Sequence, residues 1–216
     1  MKAMTQLLHI QASPNPVSHS REVAEALIAR YRMLNPTGDL RLADVWQLDL
    51  PEFGAEMIAA KFAVLRSQQA TEGQRRHWAR AVEHATAFNA ADHYVINLPM
   101  WNLGLPYKLK HYMDVVTLPG ENWSWSRDAG YRPLLGGKRA VLIYSSASAY
   151  GADGFSTQGH QDTQKAAMRT WLGFLGIEVL REIVVAPTSS DPSALTTLKQ
   201  AAREEAESAA HALLSR

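Results

Sequence analysis

Two loops in this chain carry residue types whose spacing suits ligand chemistry. The first is Ser13-Pro-Asn-Pro-Val-Ser-His-Ser20, between an apolar strand pattern and an amphipathic helix. A helix N-terminus offers unpaired N–H groups and a partial positive charge, so it favours a phosphate or other anion. Ser18 and Ser20 bring hydroxyls to that end, and Arg21 adds a cation. The competing reading is that Ser18 or Ser20 merely caps the helix. Neither G-x-G-x-x-G nor G-x-x-x-x-G-K-[ST] is present, so a Rossmann or P-loop mode is not indicated. The second loop, Pro99-Met-Trp-Asn102 continuing through Leu103, follows the apolar run Tyr94-Val-Ile96. Open α/β sheets bind ligands at such carboxyl ends of strands.

A third loop, Ser145-Ser-Ala-Ser148 with Tyr150 beyond it, ends another apolar run, Ala140–Tyr144. Ser145 or Ser146 with His160 and Asp162 admits a serine-hydrolase reading, but G-x-S-x-G is missing. The eight histidines show no paired ligand spacing such as H-E-x-x-H, so no metal site is read. The absence of cysteine removes disulfides, thiolate nucleophiles and cysteine-bound clusters together.

The elements that must carry these loops follow from periodicity. Leu7–Ala12 reads as the first strand, and a helix opening at Arg21 carries Val23, Leu27, Tyr31 and Leu34 on one stripe. Leu40, Leu42 and Val45 mark a second strand. Residues 55–69 and 72–89 read as helices. Pro99 cannot donate to a ladder and should end the central strand, while Pro106 suits the first turn of a helix over 105–117. Trp123 and Trp125 alternate with serines before the turn at 128–130, which predicts a short hairpin. The strand over 140–144, a helix over 161–175 capped by Gly176, a strand over 179–186 and a last helix from Asp191-Pro192 complete the chain. Five strands alternating with helices predict a doubly wound parallel sheet of order 2-1-3-4-5 in one domain, 1–216.

Pro99-Met-Trp-Asn102 with Leu109-Lys110 and Tyr112-Met-Asp114, the Ser18-x-Ser20 loop, and Trp171-Leu-Gly-Phe-Leu-Gly-Ile177 resemble the FMN-dependent NADH-azoreductases. These belong to the flavodoxin-like quinone reductase superfamily. The resemblance implies FMN as cofactor, with NADH or NADPH as reductant and a ping-pong cycle that passes two electrons to a flat aromatic acceptor, a quinone or azo compound. It implies that Ser13, Ser18, His19 and Ser20 hold the phosphate. The isoalloxazine would lie against Pro99, Met100, Trp101, Asn102 and Leu103 on one side and Ser145, Ser146, Ala147 and Ser148 on the other. Asn102 would meet the ring edge, and Tyr150 would stand over its face as the second catalytic candidate. A homodimer is implied as well, with the 118–131 arm reaching the partner subunit. One departure stands out: Ser146, Ala147 and Ser148 occupy the place of the family's Arg-Gly-Gly. Glycines there would allow positive φ or close backbone approach. Their loss keeps open the alternative of a degenerate or regulatory member without flavin turnover.

Composition sets the outer bounds. Hydrophobic residues at 46% and charged residues at 20% suit a globular fold with a substantial core. A formal charge of +1 shows neither a nucleic-acid footprint nor the acidic surface of an electron carrier. No apolar run approaches the roughly 18 residues of a spanning helix, and the start lacks a secretory pattern, so a cytoplasmic enzyme without membrane association is the expectation.

Overall fold

The computed structural model describes residues 5–66 and 69–215. Five strands form its main sheet: β1 (Gln6–Gln11), β2 (Asp39–Asp44), β3 (His93–Pro99), β6 (Arg139–Ser145) and β7 (Glu178–Val185). They are parallel throughout, in the order β2-β1-β3-β6-β7. With the hairpin strands β4 (Trp123–Ser126) and β5 (Gly130–Pro133) set aside, this is the expected 2-1-3-4-5. The pairings Ile10↔Ile96 and Ile96↔Leu142 centre the sheet on β3, whose residues Tyr94–Leu98 are all buried. A strand covered on both faces needs a continuous apolar run, and this one is broken only by Asn97.

Helices cover both faces. On one side α1 (His19–Leu34) and α6 (Pro192–Leu214) enclose Leu7, Val23, Leu27, Val95, Val141 and Ile183. On the other, α3 (Glu72–Asn89), α4 (Tyr107–Val116) and α5 (Thr163–Leu175) enclose Ile10, Phe88, Tyr94, Leu109, Leu142 and Trp171. Helix α2 (Ala55–Leu65) packs on α3. It is shorter than the expected 55–69: Arg66 caps it and Gln69 is non-helical, while Ser67 and Gln68 lie outside the described residues.

The other boundaries have local causes. Helix α1 begins at His19, two residues before the expected Arg21, because Ser18 takes the N-cap. Pro106 is the N-cap of α4 rather than part of its first turn. Asp162 caps α5 by accepting from the Lys165 N–H at 3.1 Å. Gly176 ends α5 in the left-handed conformation, φ 85°. In the hairpin, Trp123 is buried against Tyr131 and Phe174, with ring centroids 5.5 and 5.6 Å away, whereas Trp125 is exposed.

Candidate cofactor site

The carboxyl ends of β1, β2, β3 and β6 lie side by side, and the three loops of interest leave from β1, β3 and β6. The Ala12 N–H donates to the Asn97 carbonyl at 3.0 Å, and the Met100 N–H to the Ser145 carbonyl at 2.8 Å. These bonds carry the ladder past the strand ends and hold the loops together.

At the first loop, the helical ladder starts with the Glu22 N–H bonding the Ser18 carbonyl at 3.0 Å. The N–H groups of His19 and Ser20 precede it and have no protein partner among the described residues, which leaves them for a ligand. The Ser18 Oγ accepts from the Arg21 N–H at 3.4 Å. The capping reading is therefore correct for Ser18, and it leaves the hydroxyl proton for other use. Ser13 is buried directly after the strand end, and its hydroxyl has no partner among the described residues. Ser20 stands differently from expectation: its side chain is fully enclosed, 3.2 Å from the Ser18 Oγ and 3.4 Å from the Asn97 Nδ2. Its hydroxyl lies behind that of Ser18 rather than beside it.

The second loop is a tight reverse turn. Trp101 and Gly104 exchange backbone hydrogen bonds at 3.0 and 2.9 Å, and the two residues between them, Asn102 and Leu103, have φ of 48° and 64°. Positive φ at both central positions defines a type I′ turn, which normally takes Asn-Gly. Asn tolerates it; Leu is strained there. The turn is tied to α5 by a hydrogen bond from the Thr163 hydroxyl to the Leu103 carbonyl. Trp101, Asn102 and Leu103 are exposed at the rim, and the Asn102 amide side chain has no partner among the described residues.

In the third loop the missing glycines are not needed for the path taken. Among the described residues, Asn102 and Leu103 are the only non-glycine positions with positive φ, so residues 145–148 follow ordinary backbone geometry. The loop is anchored from behind. The Ser146 N–H donates to the Val185 carbonyl at 3.3 Å, the Thr188 N–H to the Ser146 carbonyl at 2.9 Å, and the Ser189 hydroxyl to the Ala147 carbonyl at 2.7 Å. Tyr150 joins the second and third loops by donating its hydroxyl to the Met100 Sδ at 3.2 Å. Several backbone N–H groups of the second and third loops are already satisfied by the protein. Those of Met100, Trp101 and Ser146 are engaged within the protein, leaving Asn102, Leu103, Ala147 and Ser148 without protein partners among the described residues.

The hydrolase reading fails on geometry. The Ser146 hydroxyl donates to the Ser148 carbonyl at 2.7 Å, and the Asp162 carboxylate caps α5 and pairs with Lys165 at 3.1 Å. Among the described residues neither of these groups, nor the Ser145 hydroxyl, hydrogen-bonds the His160 imidazole; the His160 backbone N–H donates to the Ser156 hydroxyl.

One aromatic wall was missed. Trp46, just past β2, donates its indole N–H to the Ala12 carbonyl at 3.1 Å. Its ring lies 5.5 Å from that of Trp101 and 5.4 Å from that of Tyr107. It bridges the first and second loops. A lone tryptophan after a strand carries no sequence signal that separates such a role from core packing.

The α1 N-terminus at Ser18 and the aromatic cluster of Trp46, Trp101 and Tyr107 lie at the carboxyl edge of a 2-1-3-4-5 sheet, the edge at which doubly wound folds bind their ligands. The chain belongs to the family described by the flavodoxin-like fold, which matches residues 5–210. An FMN-dependent NADH:quinone oxidoreductase of Desulfotalea psychrophila is 35% identical over 213 residues, covering 98% of this chain and 99% of the relative. FMN-dependent NADH:quinone oxidoreductase 3 of Pseudomonas fluorescens is 35% identical over 214 residues, 99% of each. The solved structure of an FMN-dependent NADH-azoreductase from Bacillus anthracis in complex with FMN superposes with a TM-score of 0.84 at 25% identity, covering 98% of this chain and 100% of that one.

Proposed function

We propose that this protein is an FMN-dependent NADH:quinone oxidoreductase that also reduces azo compounds, with one pocket serving reductant and acceptor in turn. The donor set at the α1 N-terminus carries the proposal. Two unpartnered N–H groups, the Ser18 hydroxyl and the Ser13 hydroxyl suit the phosphate of FMN. The chemistry FMN supplies when bound is two-electron transfer from NADH to a quinone or azo acceptor.

The chain's own residues bind, orient and stabilise. Pro99, Met100, the Trp101–Leu103 turn and Ser145–Ser148 would hold the isoalloxazine. The free N–H groups of Asn102, Leu103, Ala147 and Ser148, with the Asn102 amide, are donors for charge that develops at the ring edge. Tyr150, held by Met100, closes one side of the slot and offers a hydroxyl to the acceptor. Trp46, Trp101 and Tyr107 supply an aromatic rim suited to flat acceptors. The geometry at 145–148 does not favour a degenerate member, since the loop keeps regular backbone geometry without its glycines.

A homodimer accompanies this reading. A groove of ≈ 730 Å³ between α4 and α5, lined by Leu105, Met113, Trp171 and Phe174, meets a second cavity lined by Phe62, Leu65, Tyr131 and Phe174. Together with the exposed Trp125 and Tyr131 of the hairpin, this apolar surface suits a second copy of the chain. No helix among the described residues is long and apolar enough to cross a membrane, and we place the enzyme in the cytoplasm, acting on small molecules rather than nucleic acid.

The visible spectrum of purified protein mixed with FMN tests the proposal. Flavin bands that shift on binding, bleach with NADH and return with a quinone are expected. A spectrum identical to that of free FMN would overturn it. Asn102→Ala should keep FMN bound but slow its reduction and reoxidation, and unchanged rates by stopped flow would remove Asn102 from the site.

A further inference from the structure

His9 and Asn97 are polar residues in the interiors of β1 and β3, each flanked by buried apolar neighbours, Leu8 and Ile10 or Ile96 and Leu98. Asn97 is wholly buried and His9 is nearly so. The His9 Nε2 lies 2.7 Å from the Asn97 Oδ1, the Asn97 Nδ2 lies 3.4 Å from the Ser20 Oγ, and the Ser20 Oγ lies 3.2 Å from the Ser18 Oγ. The chain of contacts runs from the middle of the sheet to the candidate phosphate cradle. Burial of such groups is costly unless each is satisfied, so the direction of every bond in the series is coupled to the next.

Counting donors fixes what reaches the surface. When His9 donates through Nε2, the Asn97 oxygen faces it and the amide N–H faces Ser20. Ser20 accepts that bond and gives its only proton to Ser18. The Ser18 oxygen then accepts from both Ser20 and the Arg21 N–H, which fills its two lone pairs. Only its proton remains, so it can do nothing but donate. If the series runs the other way, the Ser18 proton is drawn inward and a lone pair faces the ligand. An anion selects the first direction, because only that one presents a proton.

We infer that Asn97, held by His9, is a positioning residue that acts through Ser20 to make the Ser18 hydroxyl an obligate donor to the cofactor's phosphate. This rests on the flavin reading above. The full enclosure of Ser20 fits the relay: its hydroxyl serves Ser18 rather than the ligand.

The dissociation constants of FMN and of riboflavin, which lacks the phosphate, test it by quenching of flavin fluorescence. Asn97→Ala should weaken FMN about tenfold and leave riboflavin unchanged. Asn97→Asp should give the same selective loss. Its carboxylate still accepts from His9 but has no N–H for Ser20, and it serves if the alanine variant does not fold. In the Ser18→Ala background, Asn97→Ala should cost FMN nothing further, because its only route to the phosphate is already gone. Equal effects on both flavins, or losses that multiply in the double variant, would overturn the inference and leave the flavin reading intact. Wild-type protein that binds neither flavin would overturn both.

Discussion

Leu103 sits at φ 64° next to Asn102 at φ 48°, in a turn where the second position usually belongs to glycine. A left-handed leucine costs about 1–2 kcal/mol in backbone strain. Three hydrogen bonds hold it there: the two of the Trp101–Gly104 exchange and that from the Thr163 hydroxyl to its carbonyl. The turn leaves the Asn102 and Leu103 N–H groups without protein partners among the described residues. Leu103→Gly should therefore be more stable than Leu103→Ala by about 1 kcal/mol, since alanine keeps the strain and glycine releases it. Equal denaturant midpoints for the two variants would show that the turn is unstrained. Ser18 illustrates a different economy, one hydroxyl that caps α1 as an acceptor and serves the ligand as a donor. Ser18→Ala should lose about 1 kcal/mol of stability from the cap alone, read by urea unfolding without flavin.

At the scale of elements, the end of α5 fixes how the hairpin meets the body of the molecule. Gly176 has φ 85°, and a Cβ placed on it would lie 2.9 Å from the Cβ of Pro133 in β5. Gly137, at φ 83°, has nothing within 4 Å of the same position. Gly137→Ala should lose only the strain, about 1 kcal/mol, while Gly176→Ala should lose that and the clash, about 2 kcal/mol or more. Chemical denaturation of both variants gives the difference directly. If the two losses match, the hairpin yields freely and Gly176 does not set its position. The N-terminal caps of α1 and α6 were legible because Ser18 and Asp191 are side chains that reach their own helix's N–H groups, whereas Asp162 was not read as the cap of α5, which begins at Thr163 rather than at 161. Strands β3 and β6 were legible because parallel strands covered on both faces need unbroken apolar runs. The I′ turn was not, since Asn-Leu breaks the residue preference that marks it. Trp46 was not, because its partners Ala12, Trp101 and Tyr107 are brought to it only by the sheet. Asn97 and His9 did carry a signal: each interrupts an apolar strand, and a buried polar group requires a partner.

Those same interruptions shape the behaviour of the whole molecule toward acid. Burial holds His9 below its ordinary value of 6.5, outweighing the hydrogen bond to the Asn97 oxygen that favours the charged ring. Burial does the same to His93 at the start of β3, where the ring meets the Tyr31 hydroxyl at 2.9 Å. The unfolded chain protonates both imidazoles as pH falls through about 6.5, whereas the folded chain resists until a lower pH. In that window the unfolded state binds more protons, so stability must fall as pH falls. The fall stops once pH passes below the folded values. Asp39 and Asp191 respond elsewhere: their hydrogen bonds, from Gln6 and Ser193 respectively, hold both below 3.8, so they release stability only in stronger acid. Urea midpoints should therefore drop between about pH 7 and pH 5, before the carboxylates titrate. His93→Gln should flatten the drop without removing it, because His9 still titrates. A midpoint that holds steady across this range in wild-type protein would mean that both rings accept a proton in place, and that the sheet interior is less dry than its burial implies.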